Sequence, residues 1–333
     1  MSVDTAPLFE PLKAGGKTFR NRIVMPPMVV NRDLAGPDGR EWYGRRAAGV
    51  MGWQSQPTAS MASSAGPAGP GLVIVESTNL VEFDGHLTAG NLAPLVDAIH
   101  KGGAVAAIQL FPGVRGLPTT PAEMSAADIA ETLSRYRRAV EICASAGFDG
   151  IEPHGAHGYL LNKFFSPEQN TRTDEYGGDM GGRMRFAVRI VETVKAIAGP
   201  AGMLVLYRHT PVGPGYGIAD SLVLAGKLVA AGVDILDISP ASDAAPGDRA
   251  APFMNLGVPV IAVNQMDRVE RALEVLREKR ADLVAVGRGL IADPDWVEKV
   301  RSGRTAEIVA CTGCDSCFGD LEKGGAVGCI QWK

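Results

Sequence analysis

The chain of 333 residues has no cluster of basic side chains: its 33 Lys and Arg are scattered singly or in pairs against 37 Asp and Glu, for a formal net charge of -4. A nucleic-acid binder needs a basic face, so that class is set aside. No run approaches eighteen uncharged apolar residues, and the opening MSVDTAPLFEPL has no basic segment followed by an apolar one. No membrane partner is expected, and a soluble, cytoplasmic protein is. G-x-G-x-x-G and GxxxxGK[ST] strings do not follow any strand-like run, which weighs against dinucleotide-wrapping and P-loop folds. No lysine ends such a run, so an aldolase-type Schiff base has no candidate. Only five cysteines occur. Cys143 stands alone in a helical stretch, whereas Cys311, Cys314, Cys317 and Cys329 crowd the last two dozen residues. In a reducing compartment such a cluster reads as metal or iron–sulfur ligation before disulfides.

What is present is a regular alternation. Hydrophobic residues make up 46% of the chain, and at this length a packed core needs no covalent staples. Short β-branched runs cover residues 22–28, 71–77, 104–110, 148–154, 203–209, 235–240, 258–263 and 281–288. Between the later ones lie helical spacings, at residues 129–146, 183–197, 221–231 and 268–279. Near-continuous apolar strands separated by amphipathic helices indicate a parallel sheet covered on its outer face. Eight strands in one domain predict an α/β fold, a (β/α)8 TIM barrel over residues 1–310. A stretch rich in Ala, Ser, Gly and Pro at about 50–70 interrupts it, and a Cys-rich segment, 311–333, follows. In such a barrel the reactive groups sit at the C-terminal ends of strands. Glu76, Gln109, His154 with His157, Arg208 with His209, and Arg288 are therefore the candidates.

The most informative string is HGAHGYLLNKFFSPEQNTRTDEYGG, from His154 to Gly178, directly after the fourth run. Two histidines three residues apart and a tyrosine two further on can converge at one strand end. Imidazoles there can donate hydrogen bonds to a carbonyl or nitro oxygen, and a phenol can deliver a proton. A metal site is the other reading of a histidine pair, but no carboxylate stands nearby to complete it. Separately, Cys311-x2-Cys314-x2-Cys317-x11-Cys329 has ligand-like spacing for a [4Fe-4S] cluster or zinc, and unligated thiols are the third alternative. Cys143 is expected to be buried packing.

HGAHGYLL…SPEQNTRTDEYGG, with LFEPLKAGGKTFRNRIVMPPM at the start and ADLVAVGRGLIADP near the end, resembles the old yellow enzyme family of FMN-dependent oxidoreductases (NADH:flavin oxidoreductases) over nearly the whole chain. The resemblance implies an ene-reductase: NAD(P)H reduces FMN, which passes hydride to the β-carbon of an activated alkene. It also implies that His154 and His157 hold the electron-withdrawing group of an enone-type substrate and that Tyr159 donates the proton. By position it assigns Pro26, Pro27 and Met28 to the face of the flavin, Ser77 and Gln109 to its edge, and Arg208 to the neighbourhood of N1 and the C2 carbonyl. Asn264, Gly287 and Arg288 fall on the phosphate. The chain departs from the family's pattern at Asn264, where a glycine is usual, at Val29, where relatives carry Thr or Cys, and at Pro112, where they often carry His. It also departs at 179–183 and at the 50–70 excursion. The four late cysteines resemble the cluster motif of dienoyl-CoA reductase and trimethylamine dehydrogenase. An FMN and iron–sulfur electron-transfer subunit, or a dienoyl-CoA-reductase-like enzyme fed by a separate partner, is therefore the alternative function, and a homo-oligomer is compatible with either.

Overall fold

The computed structural model describes residues 3–49, 68–113, 118–241 and 249–332. Most of the 50–70 excursion lies outside them. A short antiparallel hairpin, β1 (Leu12–Ala14) and β2 (Lys17–Phe19), precedes the barrel. The barrel strands are β3 (Ile23–Met25), β4 (Leu72–Asn79), β5 (Val105–Phe111), β6 (Gly150–Gly155), β7 (Leu204–His209), β8 (Ile235–Ile238), β9 (Val260–Ala262) and β10 (Leu283–Ala285). They pair in parallel in sequence order, and β10 returns to β3 to close the sheet. Each lies where an apolar run predicts it, and the fold is the expected (β/α)8 barrel.

The helices around it are α1 (Ala6–Phe9), α2 (Pro37–Ala48), α3 (Ala89–Lys101), α4 (Ala126–Ala146), α5 (Leu160–Phe165), α6 (Met180–Ala198), α7 (Ile218–Ala230), α8 (Val269–Arg277), α9 (Arg288–Ala292), α10 (Trp296–Arg301) and α11 (Ser316–Glu322). Their ends follow from local chemistry. In α4 the Ser125 side chain accepts from the Asp128 N–H while Asp128 accepts from the Ser125 N–H, a reciprocal cap. The helix stops at Gly147, whose φ of +93° is open to a residue without Cβ. Cys143 lies on its buried face, and burial pushes its thiol well up.

Two apolar layers result. Outward-facing strand residues pack against the helices, while Val24, Leu72, Ile74, Ala107, Leu204, Leu206, Ile235, Ile261, Leu283 and Ala285 fill the barrel. Side chains alternate across a strand, so the inward set advances in steps of two. Phe19, carried by the hairpin, belongs to the inner cluster and closes the N-terminal end. A full burial of such a side chain is worth roughly 1.5–3 kcal/mol.

At that same end an aspartate immediately precedes β6, β8 and β10. Asp149, Asp234 and Asp282 accept from the backbone N–H of Ala106, Val205 and Val260 on the neighbouring strands, at 2.9, 2.8 and 3.0 Å. Lys17 and His100 also reach Asp149, each at 2.7 Å, and Lys195 holds Asp234. These contacts pin strand register. Their recurring signal, an Asp immediately before a strand, is visible in the sequence once the strands are known.

The C-terminal segment lies across the opposite end. Val327 N–H donates to Val30 O at 3.0 Å, Arg32 donates to Val327 O, and Trp332 Nε1 donates to Ala292 O at 3.1 Å. Among the described residues no helix is long and apolar enough to cross a membrane.

Candidate functional site

Continuing the inward alternation by one step past the apolar layers places Pro26, Glu76, Gln109, Glu152, His154, Arg208, Asp237 and Gly287 in or just above the last interior layer. These strand ends change from apolar to polar without changing face. Strand pairing aligns His154 with Arg208 and Arg208 with Asp237, so three charged or polar groups form one row across β6, β7 and β8.

The histidine pair and the tyrosine do converge. The rings of His154 and His157 are 5.3 Å apart and nearly perpendicular, and that of Tyr159 lies 5.2 Å from His154. Phe111, at the end of β5, packs edge-on against Tyr159 at 4.7 Å. His154 and His157 are largely buried, whereas 44% of Tyr159 is exposed. His157 has a φ of +60°, and its backbone N–H is held by Thr210 Oγ1 at 2.9 Å. Burial first, and then the positive Arg208, drive both imidazoles down, His154 well below its ordinary value and His157 to about 3. Each is therefore neutral at physiological pH, with one proton to donate.

Beneath them lies a charged network that sequence reasoning missed in part. Gln109 Nε2 donates to Glu152 Oε1 at 2.8 Å, and Arg208 Nε lies 3.4 Å from Asp237 Oδ2. Glu152 and Asp237 are both fully buried, and burial raises both carboxyls. One guanidinium serves two acids, so Glu152, whose Oε2 has no hydrogen-bond partner among the described residues, is held in the neutral form. Their signal was parity: Glu152 stands two residues before His154, and Asp237 two after the inward Ile235. Ser239 Oγ meets both Arg208 Nη2, at 3.0 Å, and His157 Nε2, at 2.9 Å.

The other candidates divide. His209 faces away from the barrel, bonded to Ser221 Oγ on α7 at 2.9 Å and packed on Phe165 and Tyr216, so it is structural. Glu76 Oε2 accepts from the N–H groups of Val30 and Asn31, the latter at 3.1 Å, and burial raises its carboxyl to about 7. It ties the segment after β3 to β4. Ser77 sits at a shift of register between β4 and β5, and its buried Oγ has no partner among the described residues.

The positions that the sequence implies for a flavin show two close backbone approaches. Met28 N–H donates to Pro26 O at 2.8 Å, a tight turn that brings Met28 against Gly287. A Cβ on Gly287 would stand 3.1 Å from Met28 Sδ and 3.4 Å from Pro26 Cγ, so only glycine leaves the backbone open there. Asn264 has a φ of +92°. That explains both the usual glycine and the tolerance of asparagine, which enters this region more readily than most residues. Arg288 borders a polar recess with Gln265, Asp267 and Arg268. An orphaned Ser77 hydroxyl, a buried amide and guanidinium at Gln109 and Arg208, and a bare backbone at Gly287 suit a planar heterocycle carrying an anionic tail.

Cys311, Cys314, Cys317 and Cys329 line one pocket with Arg288, Ile291 and Ala292. Tertiary structure thus gathers all four thiols, although among the described residues no group of three or more His, Cys, Asp or Glu is arranged as a metal-ligand set.

Residues 7–120 and 114–307 match the NADH:flavin oxidoreductase / NADH oxidase family. The chain is 31% identical to an NADH oxidase of Thermoanaerobacter brockii, over 94% of its own length and 53% of that protein's. It is 32% identical to an NADPH dehydrogenase of Geobacillus thermodenitrificans, over 87% and 92%. It spans about half the length of the first relative and nearly all of the second. Among solved structures, a morphinone reductase in complex with tetrahydroNAD superposes with a TM-score of 0.73 at 26% identity, covering 89% of this chain and 90% of that one.

Proposed function

Because the chain belongs to the NADH:flavin oxidoreductase / NADH oxidase family, we propose that it is an FMN-dependent NAD(P)H oxidoreductase that reduces activated alkenes. The substrates are α,β-unsaturated carbonyl compounds or molecules of similar polarisation. Pro26, Pro27, Met28, Ser77, Gln109, Arg208, Asn264, Gly287 and Arg288 would hold the flavin. Bound FMN supplies hydride, taken from NAD(P)H, to the alkene's β-carbon.

The observation that carries this reading is the cluster of two neutral imidazoles and one phenol at the barrel mouth. Hydride addition to a β-carbon builds negative charge on the carbonyl oxygen. His154 and His157 each offer one fixed N–H to that oxygen, as an oxyanion hole does. Neither imidazole is charged, so neither is the proton source. Tyr159, the most exposed of the three, carries a phenolic O–H and delivers its proton to the α-carbon. Arg208, buried at the end of β7, would place a positive charge beside the flavin and so favour its reduction.

The four cysteines support a second reading, in which a [4Fe-4S] cluster passes electrons between the flavin and a separate partner protein. Their shared pocket favours it. An anaerobic visible spectrum, titrated with NADPH or NADH and then with 2-cyclohexenone, tests both. Flavin bands that bleach with the nicotinamide and return with the enone are expected. Flavin that stays oxidised with both nicotinamides overturns the first reading, and a broad shoulder beside the flavin bands supports the second.

A further inference from the structure

We propose that Ser239, on the turn leaving β8, is a positioning residue that fixes the tautomer of His157. Its hydroxyl donates to Nε2 and so leaves the ring's only proton on Nδ1, for the substrate. The inference deepens the proposed function and rests on the reading of His157 as a substrate hydrogen-bond donor.

The argument is one of complete accounting. Ser239 is buried, and among the described residues its Oγ has two partners, Arg208 Nη2 at 3.0 Å and His157 Nε2 at 2.9 Å. A guanidinium has donors only, so Oγ accepts from Arg208. The serine proton then has a single acceptor within reach, the lone pair of His157 Nε2. If Nε2 carried the proton instead, Oγ would accept twice and its own buried proton would have no acceptor, the arrangement folded proteins avoid. The charge on Arg208 acts in the same direction, because a hydroxyl that accepts from a cation is polarised into a better donor.

Placement is fixed as tightly as protonation. Thr210 Oγ1 accepts from the His157 backbone N–H at 2.9 Å and donates to Ser239 O at 3.1 Å, so both ends of the His157–Ser239 contact share one clamp. The His157 Nδ1 has no protein partner among the described residues. Tautomer matters here because a neutral imidazole is a donor on one nitrogen and an acceptor on the other. With the proton on Nδ1, His157 meets a carbonyl oxygen as a donor. With the proton on Nε2, it would present a lone pair to that oxygen and repel it.

The test is a long-range ¹H–¹⁵N correlation spectrum of the flavin-loaded protein labelled with ¹⁵N-histidine, His157 being assigned by loss of its signals in His157→Gln. The wild-type spectrum is expected to show proton-bearing Nδ1 and lone-pair Nε2. Ser239→Ala should move the ring toward the Nε2-protonated form and weaken binding of a phenol, 4-hydroxybenzaldehyde, by about tenfold, the equivalent of one hydrogen bond. Ser239→Thr, which keeps the hydroxyl, should restore both. An Nε2-protonated His157 in the wild type overturns the proposal, even if Ser239→Ala does not fold. So does a Ser239→Ala protein that retains the wild-type tautomer. The expected tautomers together with unaltered enone turnover in His157→Ala would uphold the hydrogen bond and remove the ene-reductase reading.

Discussion

The two ends of the barrel treat buried charge in opposite ways. At the N-terminal end Asp149 is surrounded by donors: burial raises its carboxyl, but His100, the Ala106 N–H and Lys17 together bring it down to about 2. At the C-terminal end Glu76 is raised to about 7, Glu152 and Asp237 are raised as well, and His154 and His157 are lowered. At the first end the partners favour the charged forms of Asp149 and His100 and pin the strands. The other favours the neutral forms of Glu76, Glu152, Asp237, His154 and His157, with buried atoms such as Glu152 Oε2 and His154 Nδ1 lacking partners among the described residues. Unmet hydrogen-bonding capacity is costly in a fold that gains nothing else from it. Where it gathers, at Glu152, His154, Arg208 and Asp237, it supports the proposed ligand site.

Substitutions at the two ends should therefore separate activity from stability. The largest effect is expected from His157→Ala at the C-terminal end, which removes one of two donors to the developing oxyanion. Alkene reduction should fall by roughly 10²–10³-fold, the usual loss for one such donor, while thermal denaturation and flavin content stay close to the parent's. A stopped-flow oxidative half-reaction with 2-cyclohexenone measures it. Equal turnover in the parent and the variant would break the comparison at its functional end.

Next in size is Asp149→Ala at the N-terminal end. The change deletes charge-assisted bonds to Lys17 and His100 and strands the Ala106 N–H, at a cost of about 1.5–3 kcal/mol. Urea denaturation should register the loss, and enone turnover at a temperature where the variant is folded should not change. The same site sets a pH dependence. Its folded-state pKa is depressed, so the Asp149 contribution is fully present above about pH 4 and disappears as pH falls through about 2. His100, raised by its bond to Asp149, contributes in the opposite sense: its share is complete below about 6.5 and is lost as pH climbs through its folded-state pKa. Denaturation midpoints of Asp149→Ala and the parent should converge at the acid extreme.

The smallest effect sharpens the contrast. Glu152→Gln replaces a carboxyl already held neutral by an amide of nearly the same shape, so stability should change by less than ~1 kcal/mol, as for swaps that keep packing. A loss as large as that of Asp149→Ala would show that Glu152 is ionised beside Arg208.

Much of this was legible in the chain itself. Every predicted strand run overlaps an observed strand, because a parallel strand buried on both faces must be apolar nearly throughout. The proposed triad was legible too, since His154, His157 and Tyr159 lie within six residues and a strand end brings them together whatever surrounds them. Gly287 and Asn264 are legible only by resemblance; the crowding of a Cβ at Gly287 by Met28 and Pro26, and the φ of +92° at Asn264, supply the physical reasons. His209 misled: it shares a strand end with Arg208, but adjacent residues face opposite sides of a sheet. Ser77 sits where β4 shifts register, which no alternation rule anticipates. The hairpin that plugs the barrel with Phe19, and the aspartates that clamp neighbouring strands, carry little local pattern.

By itself the sequence determined the alternation of strand and helix, hence a closed parallel barrel, and the local string that carries the proposed chemistry. Both depend on spacings of two to four residues, which periodicity and a short motif express directly. Only the tertiary structure decided the rest. It brought Ser239 to His157 across 82 residues, set Arg208 between two buried acids on neighbouring strands, and gathered four cysteines against Arg288. The physical reason is that protonation state and tautomer depend on burial and on partners distant in the chain. Those exist only once the barrel has closed.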